Sequence, residues 1–240
     1  MPDDLDRSGR TRPPTLHAAA WGHRLDLTAG MRLNDPPEGT ARTSPTVAKP
    51  GVACDSVGSM DTTFAPLDLP ADRDARVQFM LSNEFPFHVN CRPSPDDLER
   101  KISEGAFGGP DHATFWIDVY PEGRVGLVIL EDLLDDAPLF DLRLSSAARG
   151  NGLGVPILKA LTAEVFERWP NVNRFEGQTR EDNIAMRKTF LRSGFIKEAH
   201  YREGWPVTGA LPLASVAYAI LRRDWETGET TNFVWEDLRA

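Results

Sequence analysis

The feature that most constrains the fold of this chain is a glycine-rich stretch between an alternating segment and a helical one. Residues 138–145 (PLFDLRLS) alternate like a strand, residues 149–154 (RGNGLG) contain three glycines, and Val155–Trp169 has the apolar period of a helix. Glycine lets the backbone take tight or positive-φ conformations and approach a ligand closely. The first N–H groups of a helix lack partners within it and, with the helix dipole, attract anions. The stretch therefore predicts a strand–turn–helix unit that holds a phosphate or pyrophosphate. Its glycines are Gly150, Gly152 and Gly154, and Pro156 falls in the first helical turn, where no donor is missed.

Two common nucleotide-binding loops fit this stretch poorly. A P-loop needs the pattern GxxxxGK followed by Ser or Thr, which is absent. The dinucleotide fingerprint needs GxGxxG after the first strand, whereas the spacing here is GxGxG and the stretch lies well inside the domain. A plain glycine-rich connection without a ligand remains an open alternative for the stretch by itself.

The remainder of residues 60–240 alternates between strand and helix patterns. This order, β-α-α-β-β-β-α-β-α-β-β, predicts a mixed sheet with helices on both faces, in the α/β class. Ser94 is predicted to cap the second helix, and Gly194 to end the fourth. The predicted strands cover 62–67, 113–120, 125–133, 138–145, 173–179, 195–205 and 215–225, and the predicted helices lie within 71–83, 95–105, 155–169 and 183–193.

Residues 1–59 have a different character. Pro and Gly recur there, the apolar residues follow neither a helical nor a strand period, and seven acidic residues balance seven basic ones. Such a segment buries too little apolar surface to offset its ordering entropy. We predict a disordered extension or a misassigned start, since Met60 directly precedes the first strand pattern. Met31 is another possible start, and a small interaction arm is the remaining alternative.

The composition limits the compartment and the partners. No apolar run approaches the roughly 20 residues of a membrane span, and the first thirty residues lack the apolar core of a signal peptide. The two cysteines, Cys54 and Cys91, have neither a metal-ligand nor a disulfide pattern, so a cytoplasmic protein without a metal is expected. The net charge of −9 argues against nucleic-acid binding and suits a cationic amine, although it also simply promotes solubility.

Two motifs in register resemble the GNAT superfamily of acetyl-CoA-dependent N-acetyltransferases. Residues 149–154 match the family's acetyl-CoA motif, Arg/Gln-x-x-Gly-x-Gly/Ala. About thirty residues later, 183–195 (NIAMRKTFLRSGF) match its second signature, an Asn that opens a helix ending in Gly-Phe. The resemblance covers roughly 61–225. It is most similar to the branch of ribosomal-protein N-terminal acetyltransferases, on the strength of residues 174–183 and of Tyr218 in a late strand.

This resemblance implies the GNAT fold: a mixed, mostly antiparallel twisted sheet of six to seven strands flanked by about four helices. It implies acetyl-CoA as cosubstrate. It also implies that the strand before the glycine-rich loop diverges from its neighbouring strand. The pantetheine arm is then expected on Leu142, Arg143 and Leu144, and its thiol end near Asn183. The pyrophosphate is expected on the loop residues Arg149, Gly150, Asn151, Gly152, Leu153 and Gly154.

The catalytic residues are less well defined. An ammonium must lose a proton before it attacks a thioester, and Glu176, which shares a strand face with Gln178, is the first candidate base. Asp141 and Glu131 are weaker candidates, and Glu176 could instead be an ordinary salt-bridge partner. The family's usual tyrosine acid is replaced by a phenylalanine, and a thiolate also leaves without a dedicated acid. The phenylalanine is Phe190, and Tyr218 or Tyr201 could supply the proton unless they are core aromatics.

The sequence thus predicts an N-acetyltransferase that acts on a primary amine of a small molecule or a protein N-terminus. The alternative is a non-catalytic module that binds acyl-CoA as a sensor. Acceptor specificity is expected in residues 81–110 and 203–214, where His88 either contacts the acceptor or is an ordinary surface histidine. We expect a monomer or homodimer with no membrane partner.

Overall fold

The computed structural model describes residues 61–235, which contain seven strands and five helices. The predictions for residues 1–59 lie outside these described residues. In chain order the elements are β1 (Thr62–Pro66), α1 (Arg73–Ser82), α2 (Pro95–Ser103), β2 (Ala113–Val119), β3 (Gly123–Glu131), β4 (Leu139–Leu144), α3 (Gly154–Arg168), β5 (Arg174–Arg180), α4 (Ile184–Arg192), β6 (Ile196–Trp205), β7 (Leu213–Leu221) and α5 (Arg222–Thr227).

The seven strands form one sheet in the order β1-β2-β3-β4-β5-β7-β6. Every neighbouring pair is antiparallel except β4 and β5, which run parallel. The predicted mixed, mostly antiparallel sheet is therefore confirmed. The parallel pair lies near the middle of the sheet and is joined through α3, as a parallel connection requires.

Each face of the sheet is covered by its own apolar core. On one face, here called the α3–α4 face, the buried stripe of α3 predicted from the sequence packs on β2, β3, β5 and β7. The opposite face, called the α1–α2 face, holds a smaller core in which Met80 and Leu98 meet Trp116 and Leu127. Helices on both faces are thus confirmed. The stripe of α3 consists of Ile157, Leu158, Leu161, Val165 and Phe166.

Local signals place several helix ends where the sequence predicts them. The Ser94 hydroxyl accepts from the Asp97 N–H, and the Asp97 carboxylate accepts from the Ser94 N–H, which satisfies two donors at the start of α2. Asn183 caps α4 by accepting from the Met186 N–H at 3.2 Å. Gly194 ends α4 with a φ of +89°, a conformation that glycine adopts at little cost.

The prediction that the last strand continues to Trp225 is wrong. β7 ends at Leu221, and α5 follows it. The reason is tertiary: the Arg222 guanidinium donates to three main-chain carbonyls near the end of α3 and in the turn that follows, at 2.7–2.8 Å. The Trp225 ring then packs on Phe166, with centroids 5.4 Å apart. In a strand, residues 222 and 225 would point to opposite faces of the sheet, so both side chains could not reach the end of α3.

Candidate functional site

The parallel strands β4 and β5 diverge soon after they begin. Leu139 pairs with Glu176, and the Glu176 N–H donates to the Pro138 carbonyl at 3.1 Å. Beyond this point, the residues that the structure describes record no further pairing between the strands, although β4 continues to Leu144. Because the other edge of β4 is paired with β3 along its whole length, the edge facing β5 is the open one. The divergence implied by the resemblance is present.

An aromatic cluster occupies the point of divergence on the α3–α4 face. The Phe140 ring lies 5.0 Å from Phe175 and 6.0 Å from Phe190 between ring centroids. A Cβ at Gly177 would come within 2.7 Å of ring carbons of both Phe140 and Phe190. A side chain at this position would force one of the rings to shift, so Gly177 allows both rings to reach the gap. Sequence reasoning missed Gly177, because the spacing of a strand glycine does not show which rings cross it.

The glycine-rich loop continues directly from β4 into α3. Gly150 and Gly152 have φ values of +83° and +80° and open space where a Cβ would be, whereas Leu153 is buried in the core. Within residues 61–235, the N–H groups of Gly152, Leu153 and Gly154 donate no hydrogen bond. Three unsatisfied donors at a helix start are what an anionic group would bind.

Two loop side chains brace the loop instead of pointing into free space. The Arg149 guanidinium donates to the Ser146 hydroxyl at 2.7 Å, and the Asn151 amide donates to the Ala147 carbonyl at 3.0 Å. Gly154 also differs from the other glycines: it is helical, and a Cβ there would lie 3.0 Å from the Thr189 hydroxyl. Its role in this structure is to allow α3 and α4 to approach each other.

The predicted pantetheine residues divide between the two faces of β4. Leu142 and Leu144 pack against the core of the α3–α4 face. Arg143 is buried on the opposite face, where its guanidinium donates twice to Asp141, at 2.8 and 3.1 Å, and lies 4.9 Å above the Phe85 ring. Only the main chain of these three residues therefore faces the open edge.

A polar cluster lies on the α1–α2 face beside the divergence. His88, in the segment between α1 and α2, is hydrogen-bonded through Nε2 to Asp141 Oδ1 at 2.9 Å. Burial, reinforced by the charge of Arg143, lowers the pKa of His88 despite the attraction of Asp141. Burial alone would raise the pKa of Asp141, but Arg143 and His88 outweigh it and hold that pKa well below its usual range. The cluster therefore combines a neutral imidazole with an ionised carboxylate at neutral pH.

Glu131 ends β3 on the same face, opposite Leu139. Burial, with the neighbouring negative charge of Asp141, raises the pKa of Glu131 to about 7. The two weaker base candidates thus belong to one cluster with His88. Sequence reasoning treated His88 and Asp141 separately, since residues 53 positions apart carry no local signal of contact.

Glu176 lies on the α1–α2 face of β5, and both of its carboxylate oxygens have partners. Arg174 forms an ion pair with Oε2, and the Gln178 amide donates to Oε1 at 3.1 Å. Arg174 also binds Glu198 at 2.7 Å, which ties β5 to β6. The sequence left open that Glu176 is an ordinary salt-bridge partner, and in the structure it does form a salt bridge, with Arg174. A catalytic role for Glu176 stays a prediction.

Tyr218 is buried in β7, and its ring stacks on Phe190 with centroids 4.8 Å apart. Its hydroxyl accepts a hydrogen bond from Arg187 Nε at 3.1 Å and keeps its own proton available for donation. Tyr201, the other candidate acid, is 45 % exposed on β6, which is the edge strand.

The Asn183 amide donates to the Thr179 hydroxyl at 2.9 Å, so this side chain joins β5 to the start of α4.

The described part of the chain contains no group of three or more His, Cys, Asp or Glu side chains placed to hold a metal ion. Among the same residues, no helix has the length and apolar character needed to cross a membrane.

Solved structures with this fold include several N-acetyltransferases. A chimera of the Vibrio cholerae spermidine N-acetyltransferase SpeG with hSSAT is 16 % identical, covers 69 % of this chain and 98 % of its own, and has a TM-score of 0.57. SpeG from Vibrio cholerae in complex with manganese ions is 13 % identical, with coverages of 70 % and 97 % and a TM-score of 0.56. The ribosomal alpha-N-protein acetyltransferase RimL, in complex with coenzyme A, is 16 % identical, with coverages of 67 % and 93 % and a TM-score of 0.56.

At these low sequence identities, the structural similarity is evidence of a shared fold. The family follows from the sequence model of the acetyltransferase (GNAT) domain, which matches residues 63–196, more than half of the chain. The match spans β1 to the start of β6 and includes both the glycine-rich loop and the helix capped by Asn183. This chain belongs to the GNAT acetyltransferase family.

Proposed function

We propose that this protein is an acetyl-CoA-dependent N-acetyltransferase that acetylates a primary amine of a small molecule or of a protein N-terminus. The observation that carries the proposal is the open edge of β4, which leads directly into a loop with three unpaired N–H groups. An extended chain with amide groups can pair with that edge, and a pyrophosphate at its end can accept from the loop.

The fit of acetyl-CoA follows from the order of these features along β4. With the pyrophosphate on residues 149–154, the pantetheine runs back along Leu142–Leu144 and its thioester lies toward Asp141. Leu142, Arg143 and Leu144 supply main-chain groups only, because their side chains are directed to the two faces of the sheet. A main-chain N–H on this edge can donate to the oxyanion that forms as the thioester is attacked.

The acceptor amine would approach from the α1–α2 face. The α3–α4 face is filled by aromatic rings at the divergence, whereas the opposite face presents polar side chains of β4 and β5. The similar structures are named for amines of both expected kinds, spermidine for SpeG and a ribosomal protein for RimL. An acidic protein with a net charge of −9 also suits a cationic acceptor.

The reaction forms a C–N bond between the amine and the acetyl carbon and breaks the C–S bond to coenzyme A. The ammonium gives up one proton before attack, and the nitrogen loses a second as the thiolate leaves. Glu176 and Tyr218 are the residues predicted for these transfers. Tyr218 retains a hydroxyl proton to donate, but Glu176 accepts from Arg174 and Gln178 in the present arrangement.

A sensor that binds acyl-CoA without turnover is the second candidate function. It is favoured by Phe190, which replaces the family's usual tyrosine, and by the occupied carboxylate of Glu176. Both candidates need the same cosubstrate site, so they differ only in turnover.

Two measurements separate these candidates. Thermal unfolding with acetyl-CoA and with free CoA tests the site, and thiol release with a panel of amines tests the chemistry. We expect stabilisation by both ligands and thiol release with at least one amine. Stabilisation without release on any amine supports the sensor, and no stabilisation by either ligand contradicts both candidates.

A further inference from the structure

We propose that Asn83 is a positioning residue that transmits the binding of acetyl-CoA at the glycine-rich loop to the acceptor side of the site. This role rests on the proposed acetyltransferase function and names the contact through which the two halves of the site act on each other. The contact is a hydrogen bond of 2.7 Å from the Ser146 N–H to Asn83 Oδ1, which joins residues 63 positions apart in the chain.

Asn83 follows α1 directly, and both ends of its side-chain amide are used. Nδ2 donates to the Phe79 carbonyl in the last turn of α1 at 2.8 Å, which satisfies one of the carbonyls left free where a helix ends. Oδ1, at the other end of the amide, accepts from the Ser146 N–H. Because a carbonyl only accepts and an N–H only donates, this orientation of the amide is the one that satisfies both partners. One side chain thus connects the end of α1 to the main chain of residue 146.

Ser146 belongs to the turn that leads from β4 into the glycine-rich loop. Its hydroxyl accepts from the Arg149 guanidinium at 2.7 Å. The N–H groups of Ala148 and Arg149 donate to the Ser145 carbonyl, at 3.1 and 3.2 Å. Residues 145–149 therefore form one hydrogen-bonded turn that Asn83 holds through its main chain. A pyrophosphate on the glycine-rich loop would hold the same turn from its other end.

The chain that follows Asn83 crosses the gap between β4 and β5 on the α1–α2 face. Residues 84–92, here called the bridging segment, contact both strands beyond their last paired residues. Phe85 and His88 contact the polar side chains of β4. Phe87 contacts β5, where the Arg180 guanidinium lies 5.1 Å above its ring. An amine that approaches the gap from this face therefore passes along the bridging segment.

The bridging segment, all of which the structure describes, contains no helix or strand, so contacts with its surroundings determine its position. Two main-chain hydrogen bonds are internal to it. The Phe85 N–H donates to the Cys91 carbonyl at 2.8 Å, and the His88 N–H donates to the Phe85 carbonyl at 2.9 Å. A loop whose ends are joined in this way behaves as a compact unit. The bond between Asn83 and Ser146 fastens the start of this unit to the cosubstrate side.

A second link between the segment and the loop is electrostatic. Glu84, the first residue of the bridging segment, forms an ion pair of 2.8 Å with Arg92 at the other end of the segment. The pKa of Glu84 is lowered mainly by this hydrogen bond and charge of Arg92 and, to a lesser extent, by the charge of Arg149. Arg149 therefore lies within electrostatic reach of the segment, and it also donates to Ser146. Both links thus meet at the turn of residues 145–149.

These contacts make the order of the glycine-rich loop and that of the bridging segment depend on each other. The free energy that acetyl-CoA adds to the folded loop also opposes any opening of the segment that pulls Asn83 away from Ser146. Because linkage between two binding sites is reciprocal, an amine held by the segment raises the affinity for acetyl-CoA by the same factor. Asn83 acts by positioning the segment and not by contact with the reacting atoms.

Hydrogen–deuterium exchange of the bridging segment tests this link in the full chain and needs no amine. Exchange is followed without acetyl-CoA and with acetyl-CoA at about 100 times its Kd, which slows an opening that abolishes binding by about 100-fold. In the wild-type protein, we expect the amides of Phe85 and His88 to exchange at least about threefold more slowly with acetyl-CoA. Asn83→Ala should lose this slowing, although calorimetry still shows that acetyl-CoA binds.

Two control variants distinguish this link from a general loosening of the segment. Asn90→Ala removes an amide of the same segment, which donates to Asp97 in α2 at 3.1 Å and not to the loop, and it should keep the slowing. Asn83→Asp loses the donor to Phe79 but keeps an acceptor for the Ser146 N–H, so it should also keep the slowing. Each variant is measured at the same multiple of its own Kd, so that differences in affinity cancel.

Three results overturn the role of Asn83. They are unchanged exchange of the bridging segment when acetyl-CoA binds to wild type, slowing in Asn83→Ala equal to that of wild type, and loss of the slowing in either control variant. The first of these needs no variant, so it decides the matter even if Asn83→Ala does not fold. Failure of the proposed function looks different, because calorimetry then shows no binding of acetyl-CoA to wild type, or binding occurs but no amine releases thiol.

Discussion

The two faces of the sheet are built from different kinds of sequence information. On the α3–α4 face, the glycine-rich loop and the capped start of α4 are continuous segments whose residues act on their immediate neighbours. On the α1–α2 face, the polar cluster joins His88 to Asp141, which are 53 positions apart. The proposed cosubstrate half of the site is therefore local in sequence, whereas the proposed acceptor half exists only after the sheet has formed.

The largest expected effect breaks the loop on the cosubstrate half. Gly152→Glu introduces a side chain at a φ of +80° and a negative charge beside the three unpaired N–H groups. We expect the affinity for acetyl-CoA, measured by calorimetry, to fall at least 100-fold, because the charge repels the pyrophosphate.

The matched control is Gly209→Glu, in the loop between β6 and β7. Gly209 has a φ of +74° and the same free space, so it carries the same backbone strain away from the cosubstrate loop. Its affinity for acetyl-CoA should match wild type. Equal losses in both variants would show that strain, not the loop, explains the effect.

The next effect tests the point where the two halves meet. Gly177→Ala places a Cβ within 2.7 Å of ring carbons of Phe140 and Phe190. We expect chemical denaturation to show a loss of roughly 2–3 kcal/mol, as for other overpacked cores.

A double-mutant cycle with Phe140→Leu identifies the cause. If the rings are responsible, the smaller leucine relieves part of the crowding, and the double variant loses less than the sum of the single losses. Additive losses would show that Gly177 is needed for another reason.

A smaller effect concerns the acceptor half and depends on pH. Glu131 keeps its proton to about pH 7 in the folded state, whereas the unfolded chain loses it near the ordinary value of 4.5. The folded state therefore binds more protons between these pH values, and its stability falls as the pH rises through them. Glu131→Gln removes this cost, so we expect it to be more stable than wild type by roughly 1–2 kcal/mol at pH 8 and equally stable near pH 4.

Exposed Glu226 on α5 is the control for that measurement. Glu226→Gln should change the free energy of unfolding by a few tenths of a kcal/mol or less, with no gain between pH 4 and 8. A gain of the same size for both variants would reflect the overall negative charge and not the burial of Glu131.

The smallest effect compares one helix cap from each face. Asn183→Ala and Ser94→Ala each remove a cap and should each cost about 1 kcal/mol in denaturation. Only Asn183→Ala is expected to weaken acetyl-CoA binding, by several-fold, because Asn183 also joins β5 to α4 through Thr179. Equal affinities in both variants would contradict a role for Asn183 beside the cosubstrate.

Much of the fold was predictable because its signals are short in range. The alternation of residues 113–120 and the apolar stripe of α3 reflect the periods of strand and helix, and the Ser94 and Gly194 signals act within one turn. The end of β7 was not predictable in this way. Arg222 and Trp225 leave the strand for contacts with residues 50 to 59 positions earlier in the chain, and no local pattern contains them.

By itself, the sequence determined the family, the order of the elements and the position of the glycine-rich loop, because each depends on residue types at fixed short spacing. Only the tertiary structure decided that β4 and β5 part after Leu139, that Gly177 admits two aromatic rings, and that His88 meets Asp141. These features depend on which distant segments become neighbours in the sheet. That choice is made by the packing of the whole core, to which each residue contributes only a small share.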